Sequence, residues 1–412
     1  MTTSVLSDDL RDTLVIILAG GKGDRLYPLT RDRTKPAVPF GGSYRIVDFT
    51  LSNCLNSGLR HIYLLTQYKS LSLSRHLRRG WQIFNESAGE FIVTVPPQMR
   101  LGGSWYQGTA DAIFQNIYSL ERERPRWVAV LSGDHIYKMD YGKMIDFHRR
   151  NEADLTVACI EVGREEAPHF GIAGVDATQR IVNFQEKPAD PQPIPGSDDR
   201  FLASMGVYIF ETNALVRRLS QDAKRRESSH DFGKDVIPAM IGKDRVFAYP
   251  FVDENRSGPA YWRDIGRLDA YFEANMDLVS ADPHFVLEDP RWPIRTAAKF
   301  TLPTRTVTHA GTGQPGTALD SLLASGSNIV GGHVERSILG YHVTVREGAR
   351  ISDSIIMDDV EIGAGAEIRR AIIDKRVVIP PGTEIGVDPV ADAERYDVTE
   401  SGIVVIPKEM AF

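Results

Sequence analysis

The chain has 412 residues, 42% of them hydrophobic and 25% charged, and a formal net charge of −7. A chain of this length accommodates two or three domains with sizeable cores. Its acidic balance argues against a nucleic-acid protein, which would show a basic face, and leaves local phosphate binding open. No apolar run reaches the roughly 18 residues of a membrane span. The start, MTTSVLSDDLRD, lacks the basic segment and apolar core of a secretory signal. The two cysteines, Cys54 and Cys159, have no metal-ligand spacing and read as buried thiols of a reducing compartment. A cytoplasmic protein is expected.

In chain order, TLVIILAG reads as a buried strand feeding the glycine-rich turn LAGGKGDRLYPLT, residues 18–30. A Walker loop would need Lys and then Ser or Thr after its last glycine, whereas Asp24 and Arg25 follow Gly23. The dinucleotide fingerprint would need a third glycine, where Leu26 stands. Without a Cβ, Gly20 and Gly21 let backbone N–H groups approach a phosphate, and Lys22 and Arg25 add positive charge. A plain strand-to-helix turn is the competing reading. Next come a helix, IVDFTLSNCLNSG, ended by Gly58; a strand, HIYLLTQ; and a helix, LSLSRHLRRG. TADAIFQNIYSLER reads as one helix, WVAVLSGD as a strand, YGKMIDFHRRNEA as a helix and LTVACIEV as a strand. This alternation predicts an α/β domain over residues 1–290, with a mostly parallel sheet, helices on both faces, and ligands beyond the carboxyl ends of the strands.

Residues 291–320 are rich in Pro, Gly and Thr and read as a linker. Beyond them, in the domain read over residues 321–412, aliphatic side chains recur every six positions in triplets, with five-residue steps from Ile351 to Ile356 and from Ile368 to Ile373. Leu339, Val345 and Ile351 form one triplet; Ile356, Ile362 and Ile368 a second; Ile373, Ile379 and Ile385 a third. That period is the mark of a hexapeptide β-helix. A short irregular β domain is the alternative.

Several segments carry chemistry. In GDHIYKMDY, Asp134 follows a strand and is a natural Mg²⁺ ligand; the neighbouring His135 is assigned packing or hydrogen bonding and no catalytic role. YWRDIGRLDAY offers a second acid, Asp264, which could equally cap the helix beginning near Leu268. In FQEKPAD, Glu186 and Lys187 suit a sugar phosphate, the carboxylate accepting from hydroxyls and the ammonium meeting the phosphate; a solvated turn is the bland alternative. Gly108-Thr109 opens a helix whose N-terminus favours an anion. Lys35, just past the opening loop, is either a phosphate ligand or an ordinary surface lysine.

Taken together and in order, LAGGKGDRL, KPAVPFGG, SWYQGTADA, GDHIYKMDY, FQEKPAD, ASMGVYIF, SSHDFGKDVIP and YWRDIG resemble the sugar-nucleotide pyrophosphorylases, and among them the ADP-glucose pyrophosphorylase family. The resemblance runs nearly end to end. It implies a Rossmann-like catalytic domain followed by a short left-handed parallel β-helix, and transfer of AMP from ATP to glucose 1-phosphate for glycogen synthesis. It implies that Ala19, Gly20, Gly21 and Gly108 lie along ATP, and that Arg25 and Lys35 meet the phosphates that leave as pyrophosphate. Tyr106, Gly171, Glu186, Lys187 and Ser204 match glucose 1-phosphate positions, and Asp134 and Asp264 the acids that hold Mg²⁺. Arg25, Lys35, Asp134 and Lys187 are the implied catalytic set.

The family's homotetramers are switched by small-molecule effectors, at positions matched here by Arg33 and Arg45. Two departures stand out: Arg267 where Thr is usual, and Asp32 where many relatives carry Lys. Rival readings are a UTP- or dTTP-dependent enzyme of the same fold, a non-catalytic regulatory subunit, and an acyltransferase using His333 or His342 of the β-helix. The presence of Asp134, Asp264 and Lys187 argues against the regulatory subunit.

Overall fold

The structure is a computed structural model that describes residues 2–21, 23–98, 105–255 and 259–412. Lys22 and Ser104 lie outside the described residues. A nine-stranded sheet forms the first domain. The strand Thr13–Leu18 lies at its centre, parallel to both His61–Leu65 and Trp127–Ser132, and His61–Leu65 is parallel in turn to Phe91–Val95. Thr13–Leu18 is apolar almost throughout because both its faces are covered, as in parallel sheets generally. Leu14 and Ile16 join Val128 and Val130 in one core, while Val15 and Ile17 join Ala129 and Leu131 in another, on the opposite face.

The second half of the sheet runs differently. The long strand Arg200–Glu211 is antiparallel to Trp127–Ser132, to Leu155–Gly163 and to Gly171–Val175. Ile181–Glu186 adds to Gly171–Val175, and Val246–Pro250 runs parallel to Leu155–Gly163. The segment TADAIFQNIYSLER forms two helices, Thr109–Phe114 and Ile117–Glu123, rather than one. Asn116 separates them: its side-chain amide donates to the carbonyl of Ala112 at 2.8 Å and to the Tyr106 hydroxyl at 2.9 Å. Such bonds let an Asn compete with the helix ladder.

The second domain is a coil of three parallel ladders. Leu339 pairs with Ile356 and Ile356 with Ile373; Val345, Ile362 and Ile379 stack likewise, as do Ile351, Ile368 and Ile385. All nine of these side chains are buried. Each triplet thus gives one side chain to each of the three ladders, and the five-residue step leads from one triplet to the next.

The ladders begin earlier than the aliphatic pattern does. Arg305–Val307 pairs with Asn328–Val330, and Thr317–Leu319 with His333–Glu335, both within the stretch read as a linker. A terminal coil covers the stack on one side only, so it lacks the full aliphatic repeat that would mark it. The start of that stretch is not free either. Trp292 and Ile294 are buried, and the Trp292 indole donates to Asn53 at 2.8 Å.

The domains share a core in which Leu26, Val38, Phe40 and Phe49 meet Ile338, Ile355, Met357 and Ile372. Gly42, at φ +76°, lies where an added Cβ would come within 3.1 Å of the Leu339 carbonyl. Among the described residues no helix is long and apolar enough to cross a membrane.

Candidate active site

The parallel strands end at one open cleft of about 850 Å³. Its acidic centre is assembled by a small antiparallel pair, His135–Tyr137 with Trp262–Asp264, in which Asp264 stands opposite His135. Asp134 immediately precedes that pair, so the two carboxylates converge although 130 positions separate them in the chain. Asp264 belongs to a strand; the cap position of the helix Leu268–Met276 is Arg267, whose side chain makes no capping bond.

Lys35 enters from a short 3₁₀ turn, Lys35–Ala37, and is buried at 8% exposure rather than lying on the surface. Its ammonium donates to Asp134 Oδ2 at 2.8 Å and Asp264 Oδ1 at 3.4 Å. The Ser132 hydroxyl donates to Asp134 Oδ1. Burial works against charge on both partners. For Asp134, the attraction of Lys35 and then of His135 outweighs burial and holds the carboxyl well below the usual range. For Lys35, Asp134 and Asp264 outweigh burial and push the ammonium up. The site therefore holds both its acid and its lysine charged at neutral pH.

His135 was given only a packing or hydrogen-bonding role on sequence grounds. Its ring does pack edge-on against Trp262, 5.2 Å between centroids. Its Nε2 also lies 3.5 Å from Asp134 and 3.8 Å from Asp264. Asp134, His135 and Asp264 each offer a donor atom, all within 4.8 Å of one another.

Glu186 closes the strand Ile181–Glu186 directly opposite Gly171. A Cβ at Gly171 would stand 2.6 Å from the Phe184 ring and 2.8 Å from Glu186 Oε2, and one at Gly233 would stand 2.6 Å from the same oxygen. Two glycines thus clear space around one carboxylate. Burial, reinforced by Asp231, raises the Glu186 carboxyl. Lys187 adopts φ +50° and donates its backbone N–H to Phe170 O at 3.0 Å, which fixes the turn that carries it. Ser204 sits where the register of the long strand shifts, next to Gly206 at φ +67°. Arg25, Gly171, Glu186, Lys187, Ser204, Asp264 and Arg267 all line the cleft.

Other expected positions fall elsewhere or serve the protein itself. Ala19 and Gly20 follow the central strand: Ala19 N–H donates to Leu65 O, and a Cβ on Gly20 would be 3.1 Å from that of Gln67, whereas one on Gly21 would meet open space. Tyr106 does not line the cleft, and its hydroxyl accepts from Asn116. At Gly108 a Cβ would be 2.2 Å from the His230 carbonyl, so its smallness lets two backbones touch. The adjacent helix N-terminus gives its Ala110 N–H to that same carbonyl.

Asp231 was missed. It accepts from Thr109 Oγ1 at 3.0 Å and from the backbone N–H groups of Gly233 and Lys234, and it lines the cleft beside Glu186. Its only sequence signal was its place in SSHDFGKD.

A second cavity of about 780 Å³ lies between the domains, walled by Arg33, Arg45, Arg75, Arg79, Lys299, Lys375, Arg376 and Lys408 among others. Arg45 donates to the Ser72 hydroxyl at 2.8 Å and to its carbonyl at 3.1 Å. Arg33 is engaged in a buried ion pair, both oxygens of Asp374 lying 2.8 and 2.9 Å from one guanidinium nitrogen. Asp32 meets Arg31 at 3.3 Å and Lys408 at 3.7 Å.

A sheet that gathers a glycine loop, buried lysine and acidic pair at its carboxyl ends is the build of a nucleotidyltransferase. The Nucleotidyl transferase family model matches residues 14–281, and that of the GlmU-like C-terminal hexapeptide matches residues 302–406. The chain is 52% identical to glucose-1-phosphate adenylyltransferase 2 of Vibrio cholerae, the match covering 98% of this chain and 99% of that protein. It is 53% identical to glucose-1-phosphate adenylyltransferase of Rhodopirellula baltica, covering 97% and 90%, and 48% identical to that of Koribacter versatilis, covering 97% and 96%. The chain belongs to the glucose-1-phosphate adenylyltransferase family.

Proposed function

We propose that the protein transfers the adenylyl group of ATP to glucose 1-phosphate, giving ADP-glucose and pyrophosphate for glycogen synthesis. The observation that carries this reading is the buried Lys35 held between Asp134 and Asp264 at the mouth of the parallel strands. A phosphate oxygen of glucose 1-phosphate attacks the α-phosphorus of ATP; the bond to the β-phosphate breaks and pyrophosphate leaves. The attacking oxygen needs no general base, because a phosphate monoester has a second pKa of about 6. The obstacle is repulsion between two anions, and positioned cations address it.

Ala19, Gly20 and Gly21 run along the nucleotide, with Gly108 holding the adjoining backbone. Arg25 and Lys35 face the phosphates that leave. Glu186 accepts from sugar hydroxyls, Lys187 neutralises the sugar phosphate, and Gly171, Ser204 and Tyr106 complete the glucose 1-phosphate side. The oxygen donors Asp134 and Asp264, with His135 beside them, suit Mg²⁺. When bound there, the ion would neutralise phosphate charge in the transition state.

The reading extends to regulation. The cation-lined cavity between the domains takes a phosphorylated small-molecule effector, with Arg45 as a ligand and Arg33 in its wall. The protein works in the cytoplasm as a homotetramer joined through its β-helices, which sedimentation equilibrium checks.

The deciding experiment measures pyrophosphate release from glucose 1-phosphate and Mg²⁺ with ATP, UTP, dTTP, GTP and CTP in parallel. Each is run with and without fructose 1,6-bisphosphate, fructose 6-phosphate, pyruvate and AMP. Activity confined to ATP is expected. Preference for UTP or dTTP would keep the mechanism and overturn the substrate; silence with every nucleotide would overturn the enzyme.

A further inference from the structure

Three consecutive residues tie three parts of the molecule together. Arg33 is 4% exposed and paired with Asp374, itself 1% exposed, in a corner of the β-helix just after the strand Ala371–Ile373. Thr34 is 1% exposed, and its hydroxyl donates at 3.0 Å to the carbonyl of Ala19, just past the end of the central strand. Lys35 reaches the acidic pair. The segment has little freedom between these anchors: Pro36 follows at once, and the N–H groups of Ala37 and Val38 donate back to the carbonyls of Thr34 and Lys35.

The β-helix end is equally firm. Asp374 Oδ1 also accepts from the Lys375 N–H at 2.7 Å, and the Asp374 N–H donates to Ile406 O. Met357 sulfur lies 3.8 Å from the other terminal nitrogen of Arg33. A buried pair with this many contacts holds one geometry, and removing one partner leaves the other charged and uncompensated.

From this we infer that Arg33 is a positioning residue for Lys35. Through Asp374 it fastens the strap of residues 33–35 to the β-helix, and so sets where the Lys35 ammonium stands between Asp134 and Asp264. On this view Arg33 serves the cavity between the domains as a wall whose far end is the catalytic lysine, not as a free cation for a ligand. The kinetic part of the inference rests on the adenylyl-transfer reading; the placement of Lys35 does not.

The test separates the two. Arg33→Met, Arg33→Lys and Asp374→Asn are made in the full chain. Trace acetylation with acetic anhydride at one fixed pH, read by mass spectrometry, gives the labelling rate of Lys35 relative to Lys138, a second buried lysine whose ammonium donates to Val286 O at 2.6 Å. In Arg33→Met, Lys35 is expected to label at least about threefold faster while Lys138 keeps its rate, since the buried pair alone has been broken. In steady-state assays kcat should fall about tenfold or more with KM for glucose 1-phosphate held within about twofold, as a displaced catalytic group predicts. Asp374→Asn should reproduce both effects, and Arg33→Lys, which keeps the pair, should restore most of each.

Parallel acceleration of Lys35 and Lys138 would mean general loosening and would overturn the inference, as would an unchanged Lys35 rate. If Arg33→Met does not fold, the nearly isosteric Asp374→Asn decides the matter by the same two rates. A wild-type protein inactive with every nucleotide would defeat the proposed reaction and leave the labelling result to judge the strap.

Discussion

The cleft and the cavity between the domains both face phosphates on the proposed reading, yet they hold charge in opposite ways. Beside the cleft the buried cation Lys35 is answered by Asp134 and by Asp264, which lines it, and Lys187 stands beside Glu186. In the other cavity Arg45, Arg75, Arg79, Arg376 and Lys408 converge, and the lining acids are Asp32, Asp358 and Asp359. Asp358 is shared by Lys299 at 2.5 Å and Lys375 at 2.8 Å. A site that must gather a divalent cation together with a triphosphate keeps carboxylates at its heart. A site that only holds or releases an anion keeps its cations in excess of its acids. The chemistry demanded of each cavity is thus written in its acids more than in its bases.

The sharpest way to break this comparison is to remove an acid from the cleft. Asp134→Asn keeps the shape and removes the charge that Lys35, His135 and Ser132 surround. We expect kcat to drop about a thousandfold, with KM for both substrates within about threefold, because the lost interaction serves the transition state. Steady-state pyrophosphate release checks it, and near-normal kcat would refute the metal assignment. Removing a cation from the same cleft should act differently. Lys187→Ala is expected to raise KM for glucose 1-phosphate roughly ten- to a hundredfold, the scale of a charge-assisted phosphate contact, and to leave KM for ATP alone. If KM for ATP rises instead, the sugar side has been misplaced.

How much of this was legible depends on how far apart the partners lie. The central strand and its glycine turn are a local pattern, and so are the hexads, because each aliphatic of the β-helix repeats at a fixed step. The antiparallel half of the sheet was not readable in the same way. Its strand Gly171–Val175 has two glycines and sits at a site where Glu186 needs room, so packing and function override strand propensity. Asp134 could be singled out because it follows a strand closely. Asp231 could not, since its partner Thr109 lies 122 positions away. The Arg33–Asp374 pair spans 341 positions, and nothing near either residue announces it. Arg45 could be named from the resemblance, but Lys375 and Lys408, which share its cavity, come from the second domain.

In the cavity between the domains, single changes should weigh less, because several cations share the ligand. Arg45→Ala is expected to raise the half-saturating concentration of a phosphorylated effector about tenfold, the scale of one charged hydrogen bond. Titration of the activity with fructose 1,6-bisphosphate measures it, and an unchanged midpoint would move the effector elsewhere.

The smallest effect expected is a pH dependence, and it tests the cavity's surplus of positive charge directly. Burial, aided by Arg45 and Arg33, lowers the Lys375 ammonium to about 8, against the pull of Asp358. Asp358 is itself held below the usual carboxylate range: its burial is outweighed by Lys375 and Lys299, so it stays charged throughout. A phosphomonoester effector has its own second pKa near about 6 and is fully charged above pH 7. Between pH 7 and 9, then, Lys375 changes its charge. It passes from charged to neutral, and the sign follows: effector affinity falls as pH rises, by about fivefold over the window for one lost contact of this kind. The bound anion favours the charged amine and shifts the fall to higher pH in the complex. Lys375→Arg, whose guanidinium stays charged, should flatten the profile. A profile that rises with pH, or one that Lys375→Arg leaves as steep as before, would show that the cations of this cavity do not hold the anion.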